Sequence, residues 1–320
     1  MIIAFLTTAV LAGPLDDTGV EPAPPPIVNG QTETDYPSAV ALGAFNFSAC
    51  TGSLITPRIV LSAAHCGGDY SPESIVAIGQ AYFGDTPATA DITVGFESWT
   101  AHPDYVPLGE TWPQTPSEND VGIVVLDADV DIDPVWFRTH SFDDDDVGTE
   151  VTSVGFGATN GNGGGGGTKR SAVLTIDRVE DEVLWSDNDT NANNANICSG
   201  DSGGPMYHED EDGNLVQWAV HSWGDNACSE FSGSTRTDIV EDFILEHVEN
   251  VHGTTDFCEI TGMYGDGLCT ESCLDDTADC EEIERAERRA NCACSASDGP
   301  GGMAWLLAVL PLIARRRRQR

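Results

Sequence analysis

From residue 27 to about residue 237 the chain is a succession of short runs rich in Val, Ile and Thr, separated by Gly, Pro, Asn and Asp. That punctuation constrains the fold more than any other feature. Residues 59–61, 75–78, 123–126, 151–154, 173–176 and 216–220 each read as a strand of ordinary length, ended by turn-forming residues. Many short strands at such spacing predict an all-β fold, a barrel or sandwich, rather than helices alternating with parallel strands. One segment departs from the pattern. Residues 238–251 carry Ile239, Val240, Phe243, Ile244, His247, Val248 and Val251, a period near 3.6, which predicts one amphipathic helix ending at Gly253. The Asn/Gly-rich stretch 160–167 and the Asn/Asp-rich stretch 187–196 are expected to be loops, and Asp143 to Asp146 a solvated turn.

The chain carries 53 Asp and Glu against 14 Lys and Arg, a formal charge of −39. Such an excess repels phosphate backbones and anionic lipid headgroups, so nucleic acid is excluded as a partner. The apolar content, 40%, is nevertheless enough for a sizeable core and argues against a wholly disordered acidic protein. Ten cysteines, several closely spaced, point to disulfides and an oxidising compartment.

The chemistry concentrates in three places. Gly200-Asp201-Ser202-Gly203-Gly204-Pro205 sets a serine among glycines, which let the backbone turn tightly and bring N–H groups towards a developing oxyanion. Serine is a weak nucleophile and needs a base, which in turn needs a partner to fix its tautomer. Ser62-Ala63-Ala64-His65-Cys66 supplies a histidine beside a cysteine that can pin it, and Asn119-Asp120-Val121-Gly122 an aspartate leading into an apolar strand. Each residue alone is more commonly structural. Together they answer the needs of one mechanism.

With these motifs the chain resembles the chymotrypsin-like, or trypsin-fold, serine endopeptidases over about residues 27–253. Ile27-Val28-Asn29-Gly30 is similar to the mature N-terminus of that family, Gly52-Ser53-Leu54-Ile55 and the His65 segment to its histidine region, and Asp120, the Ser202 loop and Ser222-Trp223-Gly224 follow in the family's order. The resemblance implies two six-stranded antiparallel β-barrels with the active site between them and a C-terminal helix. It also implies a triad of Ser202, His65 and Asp120, an oxyanion hole from the N–H groups of Gly200 and Ser202, and a substrate backbone paired along Ser222, Trp223 and Gly224. Cys50 and Cys66 fit the family bridge beside the histidine, and Cys198 and Cys228 the bridge beside the nucleophile; a third common bridge is absent, since no cysteine lies between Cys66 and Cys198. Activation in this family frees an amine, here that of Ile27, to pair with Asp201. Pro26 stands where many relatives have Arg or Lys, so a separate activating peptidase is expected. The pocket base falls at Asn196, which is neutral, and implies a preference for uncharged side chains at the residue preceding the cleaved bond, with Asp225 and Glu230 as rim charges.

The ends read as addresses. Residues 1–12 have the apolar run and small residues of a signal peptide, and the proline-rich 13–26 reads as a propeptide. After the protease domain at 27–253, residues 254–290 form a spacer in which Cys258, Cys269, Cys273 and Cys280 crowd too little apolar sequence for a core. In residues 291–320, Cys292 and Cys294, a Gly-rich stretch, twelve apolar residues and the cluster Arg315 to Arg318 resemble the C-terminal sorting tag of myxobacterial surface proteins. The apolar run is short for a membrane span. The expected protein is therefore an exported endopeptidase, secreted or held at the cell surface by sorting machinery, acting on proteins or peptides. Removing both addresses leaves a body more acidic still. No metal or other cofactor is expected; Ca²⁺ among Asp275, Asp276 and Asp279, or zinc at the spacer cysteines, is the less favoured alternative. The competing function is a catalytically silent binding or adhesion protein on the same fold.

Overall fold

The computed structural model describes residues 27–109, 116–209 and 213–264. The signal peptide, the propeptide, the sorting tag and the carboxylates Asp275, Asp276 and Asp279 lie outside these residues.

Most of the chain is antiparallel β-structure in two sheets. After the short β1 (Gln31–Thr32) come β2 (Ala39–Ala44), β3 (Phe47–Thr56), β4 (Ile59–Ser62), β5 (Gln80–Phe83), β6 (Ile92–Ala101) and β7 (Gly122–Leu126). The last six close into a barrel in the order β2-β3-β4-β7-β6-β5. Its interior is apolar, with Val40, Leu54, Val60, Phe83, Val124 and Leu126 packed together, so closure removes both sheet edges and the core from water at once.

The second sheet uses β8 (Glu150–Gly155), β9 (Arg170–Thr175), β10 (Arg178–Glu180), β11 (Val183–Asp187), β12 (Pro205–Glu209), β13 (Leu215–Gly224) and β14 (Phe231–Arg236). Its order is β1-β9-β8-β12-β13-β14-β11-β10. Six strands, from β9 to β11 in that order, form its body, and β9 and β11 come into contact as the sheet curls. The short β1 and β10 extend its two edges, making eight strands where six were expected. Phe142, Val151, Leu174, Leu184, Met206 and Trp218 fill its interior.

The expected helix forms as α2 (Glu241–His252), preceded by one 3₁₀ turn at Asp238–Val240. Phe243, Ile244 and Val248 face Ile55, Ile59, Ile123 and Val220, so the helix seals the seam between the sheets. Each such side chain contributes about 1.5–3 kcal/mol on burial. Gly253 ends the helix in the left-handed region, φ 75°, with its N–H on the carbonyl of Glu249.

One expectation fails. Residues 75–78 are not a strand but the end of a helix, α1 (Pro72–Ile78). The hydroxyl of Ser71 accepts from the N–H of Ser74, Pro72 occupies the first turn and Glu73 complements the dipole. These start signals outweigh the strand preference of Ile75 and Val76, which pack from outside onto the first barrel's core. Asp143–Asp146 is likewise more than a solvated turn. Asp143 and Asp146 form a capping box, and Asp146 takes two bonds from Arg138, at 2.7 and 3.0 Å.

The start of the spacer is packed against the body. In α3 (Phe257–Thr261), Phe257 stacks on Trp136 at 4.7 Å between ring centres, and Cys258 is buried and disulfide-bonded.

Candidate active site

The site is assembled from the inner ends of both sheets. β4 runs out of the first barrel into Ala63 and a 3₁₀ turn, Ala64–Gly67, which carries His65. Beside β4 runs β7, and the residue two positions before it is Asp120. Asn119 adopts φ 50°, a left-handed turn that asparagine tolerates, and this directs Asp120 back under the histidine. The Asp120 carboxylate is 1% exposed. Its Oδ1 accepts the backbone N–H of His65 at 2.9 Å, and its Oδ2 lies 2.7 Å from His65 Nδ1. The carboxylate thus fixes position and tautomer together, leaving Nε2 clear of it on a ring that is about one-third exposed. The neighbouring phenol of Tyr105 is pushed up to about 12 by burial and by the Asp120 charge.

Ser202 comes from the second sheet, on the turn leading into β12. The Thr51 N–H donates to its carbonyl at 2.9 Å, and the Thr51 hydroxyl donates to Gly200 O at 2.9 Å. Gly203, at φ 83°, is compressed so tightly against the histidine segment that a Cβ there would lie 2.1 Å from Ser62 Oγ and 2.8 Å from Ala63 N. Only glycine meets both demands. The serine turn and the histidine turn are therefore in direct contact. Among the described residues neither the Gly200 nor the Ser202 N–H has an acceptor within the chain, while Gly200 takes φ 98°.

Both expected bridges are present, Cys50–Cys66 beside the histidine and Cys198–Cys228 beside the serine turn. They close loops of 16 and 30 residues, each stabilising by about 3–4 kcal/mol in the chain-entropy account.

Asp201 is fully buried. Its Oδ1 accepts the Gly157 N–H and its Oδ2 the Cys198 N–H, each at 2.8 Å, and no cation joins it among the described residues. Burial pushes its carboxyl up to about 7 against the pull of those two amides. Ile27 is also fully buried, and Val28 pairs with Asn196 through two backbone bonds of 2.8 and 3.1 Å. The segment that begins at Ile27 is thus threaded against the strand of chain leading to Asp201.

Next to Ser202 is a cavity of about 200 Å³ walled by 197–199 on one side and by Ser222, Trp223 and Gly224 on the other, with Asp225, Asn226 and Cys228 at its mouth. Asn196 lies behind this wall, buried, its Nδ2 donating to Phe231 O at 3.2 Å. Asp225 is committed to the backbone. Its carboxylate caps the N–H groups of Ala227, Ser229, Glu230 and Phe231.

Two supporting residues, Thr51 and Ser117, and one further contact of Ser222 escaped the sequence. Ser222 does more than present backbone, since its hydroxyl donates to Asp120 Oδ2 at 2.5 Å, and Ser117 Oγ lies 2.7 Å from Ser222 Oγ. Thr51, which holds the serine turn, is an unremarked strand residue in sequence. None of these carries a local pattern, because each acts across more than a hundred residues of chain. His102, His140, His247 and His252 stay outside the site, His252 bonding Thr56 and His247 the Phe243 carbonyl.

Comparison with known proteins gives the family. Residues 27–244 match the family described as Trypsin, and the chain belongs to that family. It is a serine-type endopeptidase. It is 29% identical to "Trypsin, alkaline C" of Manduca sexta over 242 residues, 66% of this chain and 86% of the relative. It is 28% identical to a chymotrypsin of Phaedon cochleariae over 263 residues, 74% of this chain and 87% of the relative. A relative named trypsin and one named chymotrypsin match at nearly equal identity, so the choice of cleaved bond has to be argued from the pocket.

Proposed function

We propose that the protein is an exported endopeptidase that works through an acyl-enzyme. Ser202 Oγ attacks the scissile carbonyl while its proton passes to His65 Nε2. The resulting oxyanion is received by the N–H groups of Gly200 and Ser202. Collapse breaks the C–N bond, His65 returns the proton to the departing amine, and water then repeats the sequence to release the acid and regenerate Ser202. Asp120 stays ionised throughout and stabilises the imidazolium. Ser222, Trp223 and Gly224 pair with the substrate backbone as an added strand.

The observation that carries this reading is the buried Asp120 gripping His65 at two points, beside a serine turn whose two outward N–H groups are unspent. Cleavage before Ile27 by a separate peptidase frees the amine that neutralises Asp201 and so fixes the oxyanion loop. Asn196 behind the pocket, and Asp225 spent on four N–H groups, favour uncharged side chains before the cleaved bond. The flanking segments serve export, with the protein secreted or retained at the surface through sorting machinery that recognises residues 291–320.

A fluorophosphonate probe tests the core of this. Protein trimmed to Ile27 is expected to take one label, and Ser202→Ala none. Trimmed protein that resists the label would overturn the enzymatic reading in favour of a surface binder.

A further inference from the structure

Single apolar side chains scattered over a surface are ordinary, but a cluster of them around a groove marks a place of association. Of the described residues, the four most exposed large apolar side chains are Phe45, Phe47, Tyr70 and Ile78, exposed by 53–76%. Tyr70 and Ile78 line a groove of about 610 Å³ on the first barrel. Phe45 and Phe47 sit on the β2–β3 hairpin, whose Gly43, Ala44 and Ala49 form another part of its wall. No charged residue lines this groove, in a chain whose formal charge is −39.

The groove is a built feature. Ile75 and Ile78 come from α1, and Phe96 and Trp99, both buried, come from β6 and form its floor. The hairpin turns on Phe45 and Asn46, at φ 54° and 63°. Such two-residue turns favour Gly and Asn, and a bulky residue at positive φ is disfavoured. The turn is nonetheless held, since the Asn46 N–H donates to the Tyr82 hydroxyl at 2.9 Å and a Cβ at Gly43 would lie 1.9 Å from the Phe47 carbonyl oxygen. Two aromatic rings are thus kept in water on a fixed turn.

The groove leads away from the serine. Its lining includes Ala49 and the Cys50–Cys66 bridge, and Cys66 directly follows His65. Cys66 Sγ lies 3.6 Å from the Ser202 carbonyl oxygen, and the Ala49 carbonyl oxygen would lie 3.9 Å from a Cβ at Gly200. The cavity walled by 197–199 and by Ser222 to Gly224 belongs to the second sheet, whereas the groove belongs wholly to the first barrel. A polypeptide whose acyl side pairs along Ser222 to Gly224 therefore crosses Ser202 and continues towards the groove. An extended chain advances about 3.3 Å per residue, so its second to fourth residues beyond the cleaved bond reach about 7–13 Å.

We infer that this groove receives the substrate segment that follows the cleaved bond and selects large apolar side chains at its second to fourth residues. The substrate class is then polypeptides carrying an apolar run just after the cut. A second copy of the chain is the poorer occupant, because the groove is continuous with the site rather than set apart from it. The inference rests on the proposed cleavage at Ser202.

The test uses protein trimmed to Ile27 and peptides identical up to the cleaved bond, with Leu, Phe, Ser, Asp or Lys placed singly at the second, third and fourth residues after it. An anilide with the same acyl part, which has no residue beyond the bond, normalises each rate. At one or more of these positions kcat/KM for Leu or Phe is expected to exceed that for Ser by at least about 10-fold, with Asp lower still. Phe47→Ser, Tyr70→Ser and Ile78→Ser change exposed side chains, and at least one should lower that ratio about 10-fold, with active sites counted by the fluorophosphonate label. Equal rates for Leu and Ser, or preference for Asp or Lys, overturn the inference while anilide turnover leaves the endopeptidase reading standing. A ratio unchanged in all three labelled variants overturns the role of the groove, and a dimer that these variants dissociate at unchanged ratio gives the groove to a second copy instead. Trimmed protein that cleaves neither anilide nor peptide overturns the proposed function itself.

Discussion

Two aspartates lie buried in the site, Asp120 reached from the first barrel and Asp201 on the serine turn of the second sheet, and their surroundings differ in kind. Asp120 has a ring nitrogen, a backbone N–H and a hydroxyl pointed at it. Asp201 has, among the described residues, only two backbone N–H groups, and burial drives its carboxyl up to about 7. Its cradle is moreover made by Gly155 and Gly157, where a Cβ would fall 2.1 and 2.7 Å from Asp201 Oδ1. Space has been cleared for this carboxylate without a charge being supplied. One aspartate is therefore fully partnered, as the proposed catalytic support needs, and the other is an electrostatic deficit that a cation arriving later would close.

The largest effect should come from spoiling the finished one. Asp120→Asn keeps the shape but offers His65 Nδ1 an amide that can present a donor, turning the ring to the wrong tautomer. On the proposed mechanism kcat falls about 10⁴-fold, the scale attached to losing the carboxylate of a Ser-His-Asp triad. Steady-state kinetics on trimmed protein measures it. A loss below about 10-fold would mean that Asp120 is structural and that the contrast with Asp201 is only one of burial.

The second test acts on the unfinished one. Before cleavage at Ile27, Asp201 has a folded pKa above its unfolded value, so its contribution to stability is full in acid and is lost as pH rises from about 4 to about 7. After cleavage the ammonium favours the carboxylate, and the slope from this group reverses, with stability lost as pH falls. Urea midpoints between pH 4 and 8 should therefore diverge between uncleaved and trimmed protein by a few kcal/mol at most, and Asp201→Asn should remove the divergence. Activity should follow the same switch, rising about 10²–10³-fold on trimming as the oxyanion donors are fixed. Parallel pH curves for the two forms would break the comparison.

The contrast between the aspartates also marks what could be seen in sequence. Asp120, His65 and Ser202 sit in short motifs whose neighbours serve the same proposed chemistry, so local pattern is enough to single them out, and the family resemblance pairs Cys50 with Cys66 and Cys198 with Cys228 as the structure does. The helix at 72–78 was missed because a run of Ile, Val and Ile outweighed a capping signal only three residues long at Ser71, Pro72 and Glu73. The missing cation at Asp201 and the Ser222 hydroxyl are not legible for another reason. Each is defined by what lies across a sheet or at the far end of a barrel, and strand register is not written in any one strand. Asn196 shows the limit most sharply. The family resemblance puts it at the pocket base, six residues before Ser202, but its bond to the Phe231 carbonyl, 35 residues away, is invisible in sequence.

The smallest expected effect probes how finished Asp120 is. Ser222→Ala removes one of its three donors and leaves Ser117 Oγ, 2.7 Å from the lost hydroxyl, beside an apolar methyl. A hydrogen bond to a charged group contributes about 1.5–3 kcal/mol, and a water entering the vacated space restores part of it. The expected loss is about 10-fold in kcat with little change in KM, because the hydroxyl serves the imidazolium that exists only after proton transfer. The same variant leaves the Ser222 backbone in place to pair with substrate, so binding is the internal control. A rise in KM at constant kcat would instead assign Ser222 to substrate binding alone, and Asp120 would then rest on His65 by itself. A further variant, Ser117→Ala, separates the two hydroxyls. If Ser222 needs Ser117 to hold its rotamer, Ser117→Ala should reproduce part of the loss, and the double variant should cost no more than Ser222→Ala alone.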